Sequence, residues 1–405
     1  MATVAIVSEY NPFHNGHLYQ VEQIRKILGQ DTCIIAIMSG NFTQRGEIAI
    51  ADKGLRAKCA VEAGVNLVLE LPFPFSLSSA EFFAKSAVSI IDRLGVVDYI
   101  CFGCETDDKA VLVKVAKTML GENYIENYEN IKQEKKDAGH PAVSELALHK
   151  TDPTLAESFV FSSNNILAIE YIKALFALNS KIEPMPILRR GADYNEQNII
   201  NSTHQSATAI RNAINKNDIS ALEFIPVSSK KIILDAIADG DFPTDENKLG
   251  AAVISFLRLN SPSNKQDIHD VGGGLYNRLQ SASNEANTMT DLVRLSETKK
   301  YTTARIRRAI YYSFFGVTSS EVKEIPMYTQ VLAMDQLGRM RLKSIRKQGM
   351  IDVLTKPADA HKLCAQGQLQ KKTSDRADSI FQLTKPIPRE GGYSLKFTPY
   401  VKKGE

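Results

Sequence analysis

His14-Asn15-Gly16-His17 puts two imidazoles three residues apart, behind a short apolar run, Val4-Ala5-Ile6-Val7. Residues three apart on a helical turn share a face, so both rings can reach one ligand. Each can donate an N–H to a phosphoryl oxygen, with charge when protonated. Gly16 lets the backbone approach a ligand with no Cβ in the way. The apolar run suits one buried strand of a parallel sheet. After the loop Ser8-Glu9-Tyr10-Asn11-Pro12-Phe13, Leu18, Val21, Ile24, Ile27 and Leu28 recur with helical spacing. The first turn of that helix offers unpaired N–H groups and the positive end of the dipole. This is a cradle for a polyphosphate whose charge grows in a transition state. Two ordinary surface histidines after a proline turn are the plainer reading, and the strand–loop–helix setting weighs against it.

The elements that must hold this motif follow in order. Cys33–Met38, Asn66–Glu70, Asp98–Gly103 and Pro184–Leu188 read as further strands. Helical patterns over Ala51–Ala63 and Ser78–Leu94 separate the first of them. Alternating strands and helices predict a parallel sheet with right-handed crossovers. Ligands in such sheets bind beyond the carboxyl ends of the strands, so the loops Ser8–Asn15, Ser39–Glu47 and Gly103–Thr106 should converge. Gln44, Arg45 and Lys53 are candidates for phosphate or a small carboxylate, with an exposed basic loop as the alternative. Gly103 would let a base or ribose lie against the backbone. Asn164, in a Ser-Ser-Asn-Asn helix start, can cap or hydrogen-bond an adenine or ribose edge. Arg189 and Arg190 at a strand end suit phosphate or carboxylate. Ser206-x-Thr208-x-x-Arg211 opens a helix with a second phosphate nest.

Beyond Phe224-Ile225-Pro226 the signals are mainly helical: Ser229–Ala238, Leu249–Leu257 and Asn284–Arg294, with a turn over Asp267–Arg278. The division predicts a doubly wound α/β nucleotide-binding domain over 1–226 and a mainly helical, basic domain over 227–405. Residues 301–405 hold 19 Lys and Arg against 9 Asp and Glu, a net +10, while the first 300 carry −7. A basic quarter on an acidic body suits a nucleic-acid partner. Arg305, Arg307 and Arg308, followed by Tyr311 and Tyr312, suit RNA phosphates and bases; an ordinary exposed helix is the other reading.

A chain of 405 residues with 43% apolar and 23% charged residues is that of a soluble protein of two or three domains. No apolar run approaches the roughly 20 residues of a membrane span. Met1 leads directly into a strand, with no signal-peptide pattern, and five cysteines, an odd number, fit reduced thiols in the cytoplasm. Cys101-x-x-Cys104 is half a zinc spacing without a second half, so no protein-borne metal site is expected.

Glu9–His17, Ser39-Gly40-Asn41-Phe42-Thr43-Gln44-Arg45-Gly46-Glu47, Leu69-Glu70-Leu71-Pro72-Phe73, Ser163–Tyr171 and Ser206–Arg211 stand in an order that resembles the bacterial tRNA(Met) cytidine acetate ligase family, in the HxGH nucleotidylyltransferase superfamily. The resemblance covers nearly the whole chain. It implies a Rossmann-like HxGH domain. It also implies that acetate attacks the α-phosphate of ATP, giving acetyl-adenylate and pyrophosphate. The acetyl group then passes to N4 of the wobble cytidine of elongator tRNA(Met). ATP would contact Val7, Ser8, Glu9, Tyr10, Asn11, Pro12, Phe13, His14, Asn15, Gly16 and His17, then Gly103, Asn164, Arg189, Arg190, Ser206, Thr208 and Arg211. His14 and His17 would be catalytic, and Mg²⁺ is expected with the phosphates. A nucleotidylyltransferase with a small-molecule substrate and a noncatalytic RNA-binding protein with a nucleotide pocket are the alternatives.

Overall fold

The apolar runs become neighbouring strands of one sheet. The computed structural model describes residues 1–106, 108–135, 138–189, 205–260 and 267–403. Strands β1 (Thr3–Ser8), β2 (Cys33–Ser39), β3 (Leu67–Leu71), β4 (Tyr99–Cys104) and β5 (Glu183–Leu188) run parallel in the order β5-β4-β1-β2-β3. Val4 pairs with both Ile34 and Tyr99, so β1 is the central strand. Strand order reverses on either side of it, and the crevice at such a reversal is where α/β sheets bind ligands.

Both faces of the sheet are covered, which is why its strands are nearly uninterrupted apolar runs. Ala5, Ile35, Ile37 and Leu69 face α3 (Ala80–Arg93) and the helix Ser163–Ala177. Val4, Ile6, Ile34 and Ala36 face α1 (Asn15–Leu28), α2 (Lys53–Glu62) and the helices Ala207–Asn215 and Val227–Ala238. The result is the expected doubly wound α/β arrangement.

Past residue 226 the chain is mainly helical, yet it returns to the sheet. Strand β6 (Tyr328–Met334) pairs antiparallel with β3, and β7 (Asp352–Leu354) and β8 (Tyr400–Val401) pair parallel with β6. The apolar part of β6 is only Val331–Met334, too short for periodicity to tell a buried strand from a helix turn. The helix expected over 284–294 is two helices, Leu275–Glu285 and Met289–Ser296, because the Thr288 side chain accepts from the Asp291 N–H and starts a new cap. The turn expected to reach Arg278 ends at Gly274, the N-cap of the first of these helices.

The helices of 250–315 build their own core, and Phe42 and Phe73 from the loops after β2 and β3 enter it. That packing roofs the loop region beside the strand ends.

Candidate active site at the carboxyl ends of the strands

His14 is the N-cap of α1, and the cap is built from imidazoles. Its Nδ1 accepts from Gly16 N–H at 3.0 Å, and Nδ1 of His17 accepts from His14 N–H at 3.2 Å. This is a capping box in which histidines replace the usual Ser and Glu. With both Nδ1 atoms accepting, each neutral ring carries its proton on Nε2, the tautomer that donates outward from the cap. The rings stack, with centroids 3.8 Å apart and planes 26° apart.

Burial and the Arg189 guanidinium push the His17 ring down to about 3. His17 is therefore neutral at pH 7 and acts as an N–H donor without charge. An added Cβ on Gly16 would lie 2.9 Å from His14 Cε1 and 3.0 Å from Nδ1. So the glycine is needed to seat the His14 ring as well as to bare the backbone.

The loop before the cap is held tightly. Tyr10 has a left-handed backbone, φ 46°, a costly conformation for a bulky residue. Its buried ring packs on Phe13 at 4.8 Å and His17 at 5.0 Å between centroids. Asn11 Oδ1 accepts from Ile50 N–H at 2.7 Å. Glu9 Oε1 accepts from Gln44 N–H at 2.8 Å. Burial raises the Glu9 carboxyl above the ordinary carboxylate range, while the Gln44 N–H, Arg211 and Arg45 draw it back down.

Loops from several strands do converge here. Arg211, on the helix Ala207–Asn215, donates to Asn11 O at 3.0 Å, Glu47 Oε2 at 2.9 Å and Thr208 Oγ1 at 3.3 Å. It ties the β1 exit to the β2 exit. Ser206 Oγ caps its own helix, accepting from Ala209 N–H at 3.1 Å. The side chain of Arg189 lies over Gly103, where an added Cβ would come within 3.1 Å of Arg189 Cγ. Asn164 donates to Glu105 Oε1 at 2.6 Å, beside the β4 exit. Asn15 donates to Glu223 O at 3.4 Å, while Val7 and Ser8 end β1 and Pro12 is buried in the loop. Arg190 lies outside the described residues.

Two groups of candidates are not brought to this face as expected. Lys53 is 1% exposed and donates to Glu70 Oε1 at 2.7 Å and Asp378 Oδ2 at 2.5 Å. Two carboxylates from distant parts of the chain sequester it, which corrects its reading as a phosphate or acetate ligand. The arginine face of the helix Thr303–Phe315 is likewise not an open RNA surface. Arg308 is 7% exposed and pairs with Asp270 at 3.0 Å. Arg307 pairs with Glu246 at 2.6 Å, and Arg305 donates to Asp270 O at 3.2 Å. The helix instead abuts the β2 loop. Gly46 has φ +79°, and a Cβ there would lie 2.5 Å from Arg307 Cβ.

Three anchors escaped the sequence reading. Arg56, 2% exposed, donates to Ser39 O at 3.1 Å and to the carbonyls of Glu9, Gly40 and Ala51. Asn165 Oδ1 accepts from Glu105 N–H at 2.8 Å and joins a helix start to the β4 exit. Asp378 accepts from Asn41 Nδ2 at 2.8 Å as well as from Lys53. Only the neighbouring Asn164 carried a sequence signal, because the partners of the other groups are backbone groups 5 to 60 positions away or side chains more than 300 positions away.

The arrangement can bind a polyphosphate and stabilise charge on one phosphorus with neutral N–H donors at a helix N-terminus. The model of the HIGH Nucleotidyl Transferase family matches residues 1–392. A tRNA(Met) cytidine acetate ligase of Acetivibrio thermocellus is 37% identical over 378 residues, 90% of each chain. One from Caldanaerobacter subterraneus is 38% identical over 365 residues, 88% of this chain and 89% of that one. The crystal structure of Thermotoga maritima TmcAL superposes with a TM-score of 0.93 at 30% identity, covering 99% of both chains. A second TmcAL structure, bound with alpha-thio ATP, gives 0.91 at the same identity and coverage. The chain therefore belongs to the HIGH nucleotidyl transferase family and, within it, to the tRNA(Met) cytidine acetate ligases.

Proposed function

We propose that this chain is an ATP-dependent ligase that activates acetate as acetyl-adenylate and passes the acetyl group to N4 of the wobble cytidine of elongator tRNA(Met). The observation that carries the reading is the stacked His14–His17 pair capping α1 at the sheet's reversal point. Family membership supports the acetate and tRNA specificity, and the alpha-thio ATP bound to the Thermotoga maritima relative supports ATP as substrate.

An acetate oxygen attacks the α-phosphorus, and the bond to the β-bridging oxygen breaks as pyrophosphate leaves. Charge gathers on the α-phosphoryl oxygens and the leaving group. The Nε2–H groups of His14 and His17 stabilise that charge with no proton transfer, aided by the first-turn N–H groups of α1. Arg189 supplies cationic charge beside the donors, and Arg45 does so beside Glu9. Ser206 and Thr208 border the polyphosphate at the neighbouring helix start, and Arg211 holds the two loops in register. In the second step the cytidine N4 attacks the acetyl carbonyl carbon. The bond from that carbon to the phosphate oxygen breaks, AMP leaves, and the amine loses a proton.

Mg²⁺ would accompany ATP and supply counter-charge to its phosphates. Among the described residues no group of three or more His, Cys, Asp or Glu is arranged to hold a metal. Among them, too, no helix is long and apolar enough to cross a membrane.

Acetate-dependent exchange of labelled pyrophosphate into ATP tests the first step, and acetylation of tRNA(Met) tests the second. The His17→Ala variant is expected to lose the exchange by a factor of about 100 or more, the size of one lost oxyanion-type donor. Exchange within threefold of wild type in that variant overturns the assignment of the pair.

A further inference from the structure

One cavity among the described residues lies away from the histidines. It encloses about 690 Å³ and is lined by Phe314, Phe315, His361, Lys371, Lys372 and Arg376 among others. That volume falls within the roughly 300–1,000 Å³ of small-ligand pockets. Its wall is the helix Ala365–Phe381, along which Gln368, Lys372 and Arg376 recur every fourth residue on one face. Lys372 and Arg376 are exposed, whereas Lys371 is buried and paired with Asp375. Phe314 and Phe315 also line it, with centroids 5.2 Å apart. Cations for a backbone next to aromatic faces for a base are the two elements of unpaired-RNA recognition.

The cavity is tied to the active site from two directions. Phe315 packs on Phe42 at 5.4 Å and Phe73 at 5.0 Å between centroids, and Phe42 belongs to the loop whose Gln44 N–H binds Glu9. The same helix that presents Lys372 and Arg376 turns Asp378 inward to Lys53 and Asn41. Whatever is seated in the cavity is thus held at a fixed offset from the strand ends.

We infer that this cavity is a binding site for an unpaired nucleotide of the RNA substrate, its phosphate on Lys372 and Arg376 and its base against Phe314 and Phe315. The inference rests on the tRNA reading above and adds a location to it. It also moves RNA contact from the occupied arginines of residues 305–308 to the helix Ala365–Phe381.

The test compares wild type with Lys372→Glu combined with Arg376→Glu. Acetate-dependent pyrophosphate exchange, which needs no RNA, is expected to be unchanged. KM for tRNA in acetylation is expected to rise about tenfold or more, as when two of several phosphate contacts are reversed. The slope of log KM against log salt should flatten by about 1.4, the contribution of two single-strand phosphate contacts. An unchanged KM and slope in a variant that acetylates overturn the inference while leaving the ligase reading intact. Wild type that fails the exchange overturns the ligase reading instead. Should charge reversal also depress the exchange, Lys372→Gln with Arg376→Gln decides by the same slope: flattening supports the site, and an unchanged slope removes it.

Discussion

Gly16→Ala separates the chemistry of the cap from its stability. In the native chain the His14 ring rests over Gly16, and an alanine Cβ would stand 2.9 Å from Cε1 and 3.0 Å from Nδ1. Carbon atoms in contact normally sit about 3.5–4.0 Å apart, so the ring must withdraw by the better part of an ångström. Withdrawal breaks the Gly16 N–H to His14 Nδ1 bond and the 3.8 Å stack on His17. A displacement of about 1 Å in a catalytic group costs on the order of a hundredfold in rate, or about 2.7 kcal/mol of transition-state stabilisation. The folded state, by contrast, gains a better helix former: Ala is favoured over Gly by up to about 1 kcal/mol in a helix. Pyrophosphate exchange should therefore fall about a hundredfold while the denaturation midpoint holds or rises slightly. A variant whose exchange stays within threefold of wild type would refute the idea that the His14 ring position limits the reaction.

Two further perturbations probe the support of the site. Lys53→Met leaves Glu70 and Asp378 buried together without their cation, since the three side chains are 2%, 2% and 4% exposed. Urea denaturation should show a loss of about 3–5 kcal/mol, with partial recovery on adding Glu70→Gln; a loss under about 1 kcal/mol would mean the triad is dispensable. The His17 ring, lowered to about 3 in the folded chain, stays neutral while the unfolded chain takes up a proton near pH 6.5. The unfolded state then binds more protons between those values, so the contribution is complete above about pH 6.5 and is lost as pH falls towards 3. By NMR the His17 Cε1–H resonance should not move between pH 8 and pH 5, and a titration midpoint near 6.5 would contradict the buried, Arg189-facing ring.

The catalytic half of the fold was legible because its signals are local. An apolar run, a polar loop and a capped amphipathic helix repeat through the first hundred residues, and each boundary falls within a few positions of the expected one. The histidine motif could be read for the same reason, since a capping box spans only four residues. What stayed hidden depends on pairings that no window of sequence contains. Lys53 looks like a phosphate ligand until Asp378, 325 residues away, arrives beside it. The arginines of 305–308 look like an RNA face until Asp270 and Glu246 occupy them. Charge content is readable along a chain, but whether a given cation is already spent is a tertiary fact.

Those hidden pairings have a common direction. The last quarter of the chain does more than append a basic surface. Asp378 reaches Lys53 and Asn41, Lys385 reaches Asp52 at 2.8 Å, and β6 extends the sheet beside β3. Each contact ends on or next to a loop that leaves a parallel strand at the reaction site. A buried ion pair rarely adds net stability over an apolar substitute, but it fixes one geometry, since misregistered charges stay unpaired and desolvated. Placing two such ion pairs between the C-terminal segments and the loops behind the histidines makes the two halves one rigid frame. Acetyl-adenylate is a reactive mixed anhydride, and a frame of fixed offset lets it meet the cytidine amine where it is made.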